Sequence, residues 1–346
     1  MSTAARKRIW YWDILRISAV LCLVLRHIST ASFDFVEPLG AKWWVFNAYG
    51  SLVAWMVPVY LMLSGASFLD PNKKVTIKTI WARNIWHMFV AFAAWSILYA
   101  LYNHLSGQDT HTSIVEMLFT GHFHLWFLPM IMGIYMLLPV FRLASKTLKG
   151  TAYVFFASLV LSVTFPMLQD LGWVPDAELI TGMNNVGFIS SHVCFFFAGW
   201  LFHKIDLNKK QRYLLYSLAI LATVAVFMGT WQLTIRDGAH NEDMQSDSNL
   251  LTGIQGIALF VLIKELCREK EFSIQTQNAL RFYSSLTFGV YLVHVMLIAL
   301  LDRFGFSPIT YNAGWMIPLS FCFVTPLSFL ITWALRKIPL VGKFIT

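Results

Sequence analysis

About ten apolar stretches, each of roughly 20 residues, succeed one another along the chain. That succession constrains the fold more than any single motif. A segment of this length crosses hydrocarbon only as a helix, because its backbone polar groups must be satisfied internally. We place the spans at 10–31, 43–69, 82–105, 125–141, 151–168, 187–203, 212–234, 249–267, 284–304 and 314–335. Composition agrees: 57% of residues are hydrophobic and 13% charged, against roughly 25% charge in a soluble domain. The 14 Trp and 29 Phe suit lipid-facing and interfacial surfaces. Arg6-Lys7-Arg8 lead directly into the first span, so no removable signal peptide is expected. The expectation is an all-α polytopic membrane protein with about ten transmembrane helices, a single membrane domain over 8–338 and no soluble domain.

Charge orients the spans. With a cytoplasmic N-terminus, the inner segments carry Arg6 to Arg8, then Lys73, Lys74, Lys78 and Arg83, then Arg142, Lys146 and Lys149. Further inner segments hold Lys204 to Arg212, Lys264 to Arg281, and Arg336, Lys337 and Lys343. Only Lys42, Arg236 and Arg303 fall in outer loops, where most of the acids lie, among them Asp34, Asp109, Asp176, Glu178, Glu242 and Asp302. This is the positive-inside pattern, and it places both termini in the cytoplasm. The net charge of +8 then describes a face toward anionic lipid or an anionic co-substrate rather than nucleic acid. Cys22, Cys194, Cys267 and Cys322 lie in apolar stretches without metal-type spacing.

The first span carries Asp13, Arg16, Arg26 and His27, where a lipid-facing helix carries no charge. Eleven residues separate Arg16 from His27, roughly three helical turns, so both side chains share a face about 16 Å apart along the axis. Asp13 precedes Arg16 by three residues, within pairing reach. Arg26 points about 100° away from His27 and is expected to pair with an outer acid. A structural ion pair of Asp13 and Arg16 near the inner interface is the bland alternative.

Three other blocks depart from plain lipid-soluble helix. Val57-Pro58 to Ser64-Gly65 combines a freed carbonyl with small residues that allow close approach of a helix or ligand. His122-Phe123-His124-Leu125-Trp126 sets two histidines among interfacial aromatics, with Glu116 the nearest acid that could orient one. Ser284 to His294, through Tyr291, puts an imidazole near mid-membrane. Packing and functional roles are both open for these residues.

In order, Asp13-x2-Arg16-x10-His27, Ser64-Gly65, His124-Leu-Trp-Phe-Leu128 and Phe288 to His294 resemble the recurrent blocks of the acyltransferase 3 family of integral membrane acyltransferases. Within it the chain looks most like the enterobacterial common antigen O-acetyltransferase group. It departs from the family at the third span, where Arg83 stands without its usual paired arginine: Ile80 lies three residues earlier and Lys78 is the nearest preceding cation.

The resemblance implies a multi-pass protein of the bacterial cytoplasmic membrane. It would transfer an acyl group, commonly acetyl from acetyl-CoA as co-substrate, to a hydroxyl of a lipid-linked or cell-surface glycan. No permanently bound cofactor or metal is expected. The residue types suit that chemistry. A hydroxyl nucleophile needs a base titrating near neutrality, for which His27 is the candidate. The developing oxyanion needs fixed positive charge or dipoles, and CoA phosphates need cations such as Arg16, Arg83 and Lys78. On this reading Asp13, Arg16 and His27 are catalytic. Arg16, Lys78, Arg83 and Ser64 hold the donor, and Glu116, His124, Trp126, Tyr291 and His294 hold the acceptor. A glycan or lipid-carrier exporter is the alternative, with the same polar track as its path.

Overall fold

The structure, a computed structural model, describes residues 8–30, 33–106, 114–173, 178–339 and 342, with the side chains of 114 and 178–190 outside that set. Arg6, Lys7, Asp109, Asp176 and Lys343, and the side chain of Glu178, therefore fall outside the described residues. Among the described residues all regular structure is helical. The helices are α1 (Trp10–Thr30), α2 (Ala41–Val53), α3 (Met56–Phe68), α4 (Ile77–Thr79), α5 (Trp86–Ser106), α6 (Ile114–Thr120), α7 (Phe127–Met136) and α8 (Leu138–Ala144). They continue as α9 (Leu148–Ser158), α10 (Phe165–Asp170), α11 (Glu178–Lys204), α12 (Lys209–Asp237), α13 (Leu250–Leu266), α14 (Ile274–Arg303) and α15 (Ala313–Leu335).

Nine helical segments among the described residues are long and apolar enough to cross a membrane. The expected span at 187–203 falls within α11, a 27-residue helix only partly inside the described side chains. The chain is an all-α polytopic membrane protein.

Breaks follow the prolines. The expected second span is interrupted at Ala54–Trp55, between α2 and α3. Pro58 sits in the first turn of α3, where its missing N–H costs no helical bond but leaves the Ala54 carbonyl without its usual donor. Pro139 does the same between α7 and α8, so the expected helix over 125–141 is two shorter ones. Wider π turns at Ile80–Ile85 and Leu159–Thr164 interrupt two further spans.

Close approach holds α3 to α11. A Cβ on Gly65 would stand 1.7 Å from the Phe196 carbonyl oxygen, and one on Gly199 would stand 1.8 Å from that of Met62. Two glycines thus allow near backbone contact, which gathers dispersion energy where burial from lipid supplies little drive. Arg142 secures the end of α3, donating to the carbonyls of Phe68, Asp70 and Lys73 at 2.6, 2.9 and 2.7 Å. The Phe68 carbonyl is an end acceptor of α3 and the other two belong to the following loop, so one guanidinium satisfies both helix end and loop.

The charged helix α1 lies inside the bundle, against α14, α3, α2 and α15. Leu15, Ala19, Val20 and Val24 are fully buried on its packed faces. That placement removes its ionisable groups from hydrocarbon, as their cost requires. We call the end near Arg8, Lys73 and Arg142 the basic side, and the end near Asp34 and Glu242 the acidic side.

Candidate active site

One cavity of about 850 Å³ follows α1 from Arg16 to His27. Helical periodicity puts these two side chains on one wall. Ser64 of α3, His124 and Trp126 of the 3-10 turn before α7, and Tyr291 of α14 line it as well. Asp13 and His294 stand behind that lining and support it. Lys78 and Arg83 are exposed on α4 and the following π turn, and Glu116 is exposed on α6; none of the three lines the cavity.

At the basic end Asp13 is buried, and its strongest partner is Arg8 rather than the expected Arg16. Arg8 donates to both carboxylate oxygens at 2.7 Å, while Arg16 Nη1 lies 3.7 Å away. The planar guanidinium of Arg8 reaches back over the first turn and matches the carboxylate fork, which favours a bidentate pair. Ser284 links the two groups: its hydroxyl donates to Asp13 Oδ1 at 2.6 Å and accepts from Arg16 Nη1 at 3.1 Å. Arg16 is thereby held at the wall with donors left for a ligand. Nearby, Lys73 donates to the hydroxyl of Ser67, a lining residue, at 3.0 Å.

At the other end four histidines meet. His27 Nδ1 lies 2.6 Å from His294 Nε2, with the rings stacked at 4.9 Å. His294 Nδ1 lies 3.1 Å from the Val290 carbonyl one turn earlier in α14. A carbonyl only accepts, so His294 Nδ1 carries the proton and its Nε2 is the acceptor. His27 Nδ1 must then be the donor, which leaves the lone pair of neutral His27 on Nε2. His27 is partly exposed to the cavity. Its second nitrogen is the one left with a lone pair to accept a proton.

His124 Nδ1 lies 3.0 Å from His122 Nδ1, and its backbone carbonyl accepts from the Tyr291 hydroxyl at 2.8 Å. The buried His124 ring also lies against the Leu292 backbone, 6.3 Å from the His27 ring. Arg26 is buried and turned toward the acidic side, donating to Gln245 Oε1 at 2.6 Å, to the Gly50 carbonyl at 3.2 Å and to Glu242 at 3.3 Å. The expected outer acid is thus Glu242. Arg26, Glu242 and Gln245 still border the cavity.

Arg8, Lys73, Ser284 and Gln245 carry contacts that sequence reasoning did not assign. The only signal for Arg8 and Lys73 was their charge, already accounted for by topology.

The family profile described as an acyltransferase domain matches residues 9–337, nearly the whole chain. No curated protein and no solved structure matches. The narrower likeness to the enterobacterial common antigen group rests on the sequence blocks alone. The match takes in the cavity and every residue that lines it, and the chain belongs to the acyltransferase 3 family of membrane acyltransferases.

Proposed function

We propose that the protein transfers an acyl group, acetyl being the simplest, from acyl-CoA to a hydroxyl of a lipid-linked or surface glycan. The observation that carries this is the single cavity joining Arg16 to His27. On this reading the basic side faces the cytoplasm, as the charge pattern suggests. The membrane is then the bacterial cytoplasmic one, where acyl-CoA and a glycan acceptor meet from opposite sides.

The CoA phosphates dock at the basic end, where Arg16 lines the cavity and Lys73 stands behind the lining residue Ser67, both able to give charge-assisted hydrogen bonds. Lys73, tied to Ser67 though not itself part of the lining, takes the role first given to the exposed Lys78 and Arg83. The pantetheine arm extends past Ser64, so the thioester reaches the histidines. His27 Nε2 removes the acceptor hydroxyl proton as the oxygen attacks the thioester carbonyl. When His122 Nδ1–H donates to His124 Nδ1, the second nitrogen of His124 carries a proton, and we assign this imidazole, beside His27, to the developing oxyanion. Collapse expels the thiolate, which regains a proton from His27. The products are a glycan ester and free CoA.

Mass spectrometry of surface glycan from wild-type and deletion strains tests the reading, paired with thiol release from acetyl-CoA by the purified protein. Loss of O-acyl groups together with acceptor-dependent CoA release is expected. A transporter using the same cavity would move glycan without releasing CoA, and that result would replace this reading.

A further inference from the structure

A second cavity, of about 480 Å³, adjoins the first at His27. His27 and Phe123 line both cavities, so they form the partition between them. The polar lining of the second is His122, Asp302, Ser307 and Thr310, set among apolar groups such as Phe35 and Ile298. This mixture, at this volume, is that of a small-ligand site: apolar walls with a few converging polar groups.

The turn after α14 builds one wall and is tied to itself. Gly305 adopts a left-handed φ of 79° and donates to the Asp302 carbonyl at 2.9 Å. Thr310 and Tyr311 N–H groups both donate to the Ser307 carbonyl at 3.1 Å. Lys42 of α2 bonds the Ile309 carbonyl and pins the turn to the bundle. The polar groups are therefore held in place before any ligand arrives, which reduces the ordering cost of binding.

Charge narrows the ligand. Among the described lining residues Asp302 is the one carboxylate and no Lys or Arg is present, the nearby Lys42 ammonium being engaged by the Ile309 carbonyl. An anionic group would meet repulsion there, whereas hydroxyl and amino donors would meet a carboxylate and hydroxyl oxygens as acceptors. Phe35 and Phe123, 79% and 59% exposed, offer ring faces alongside.

We propose that this second cavity is the acceptor site, for a neutral or amino sugar, and that the acyl group passes to it directly across His27. The inference rests on the acyltransferase reading above and adds where the acceptor sits. The sugar O–H proton moves to His27 Nε2 and the new C–O bond forms as the donor C–S bond breaks. The proton then returns to the thiolate, so nothing else is consumed.

The test uses the native host, whose own glycan is the acceptor, with the deletion strain carrying the full chain. Thr310→Trp fills the cavity and Asp302→Asn removes its charge. Both should lower glycan O-acylation at least tenfold at equal protein level, while purified variants bind radiolabelled acetyl-CoA within twofold of wild type. Wild-type acylation in both Thr310→Trp and Asp302→Asn would overturn the acceptor site and leave the acyltransferase reading standing. A deletion strain with unchanged glycan would overturn both.

Discussion

His27 Nδ1 and His294 Nε2 stand 2.6 Å apart, from residues 267 positions distant in the chain, with the far nitrogen of His294 on the Val290 carbonyl. The chain of contacts fixes the tautomer of His27 from outside the cavity. His294 is therefore a positioning residue. Replacing it by Phe keeps a ring against His27 and removes the acceptor. The expected result is a fall in kcat of about 10²-fold, the lower range for a misused general base, with the KM for acetyl-CoA unchanged. His294→Gln, which can still accept, should recover part of the loss. Steady-state CoA release with pH–rate profiles separates this from a packing role, which would move neither profile nor kcat selectively.

Asp13 is buried and holds Arg8 and Ser284 directly and Arg16 through Ser284. Asp13→Ala strands two guanidinium groups and one hydroxyl. Loss of hydrogen bonds to a charged group predicts destabilisation of about 1–3 kcal/mol, discounted at the exposed Arg8 end. The apparent Tm in detergent should fall, and the KM for acetyl-CoA should rise because Arg16 loses its anchor. An unchanged donor KM would detach Arg16 from donor binding.

Gly65 and Gly133 make a matched pair of helix positions. A Cβ at Gly65 would overlap the Phe196 carbonyl, whereas one at Gly133 meets nothing within 4 Å. Gly65→Ala should force α3 from α11 and cost about 2–3 kcal/mol or more, visible as lost folded yield in size-exclusion profiles. Gly133→Ala should be neutral or slightly stabilising, as expected for a helix interior.

His240 lies outside the candidate spans, its ring 3.6 Å from that of Phe33 and its Nδ1 accepting from Trp43 Nε1 at 3.3 Å. Burial pushes its pKa below the ordinary histidine value, against the pull of Glu242 and Asp34. A histidine depressed in the folded state stabilises above its unfolded pKa of about 6.5 and loses that contribution as pH falls toward the folded value. The apparent Tm should therefore drop on acidification from pH 7 to 5. His240→Phe should shrink that drop; an identical drop in both proteins would exclude His240 as a cause.

The first helix was legible because its evidence is local. Charge inside an apolar run, at a spacing of three turns, puts Arg16 and His27 on one wall without any knowledge of neighbours. The Ser64-Gly65 approach was legible for the same reason, since small residues in a span have few other uses. Pairings between distant segments were not. Arg8 precedes the helix and read as a topology signal, yet it outcompetes Arg16 for Asp13 because its fork meets both oxygens. Lys73 lies in a loop whose path depends on four backbone acceptors of Arg142 in another span. Arg83 kept half of a family pattern, with Ile80 in place of the paired arginine and Lys78 as the nearest cation, and both cations stand on an exposed surface. Sequence proximity to the pattern carried no information about that surface.

Acetyl-CoA turnover by His27→Ala tests the central claim most directly. Purified protein in lipid nanodiscs is supplied with radiolabelled acetyl-CoA and the host glycan, and thiol release is followed beside donor binding. Removal of the base at the partition predicts a loss of about 10²–10⁴-fold in CoA release, with acetyl-CoA binding retained. Wild-type turnover by His27→Ala at equal protein level would contradict the account.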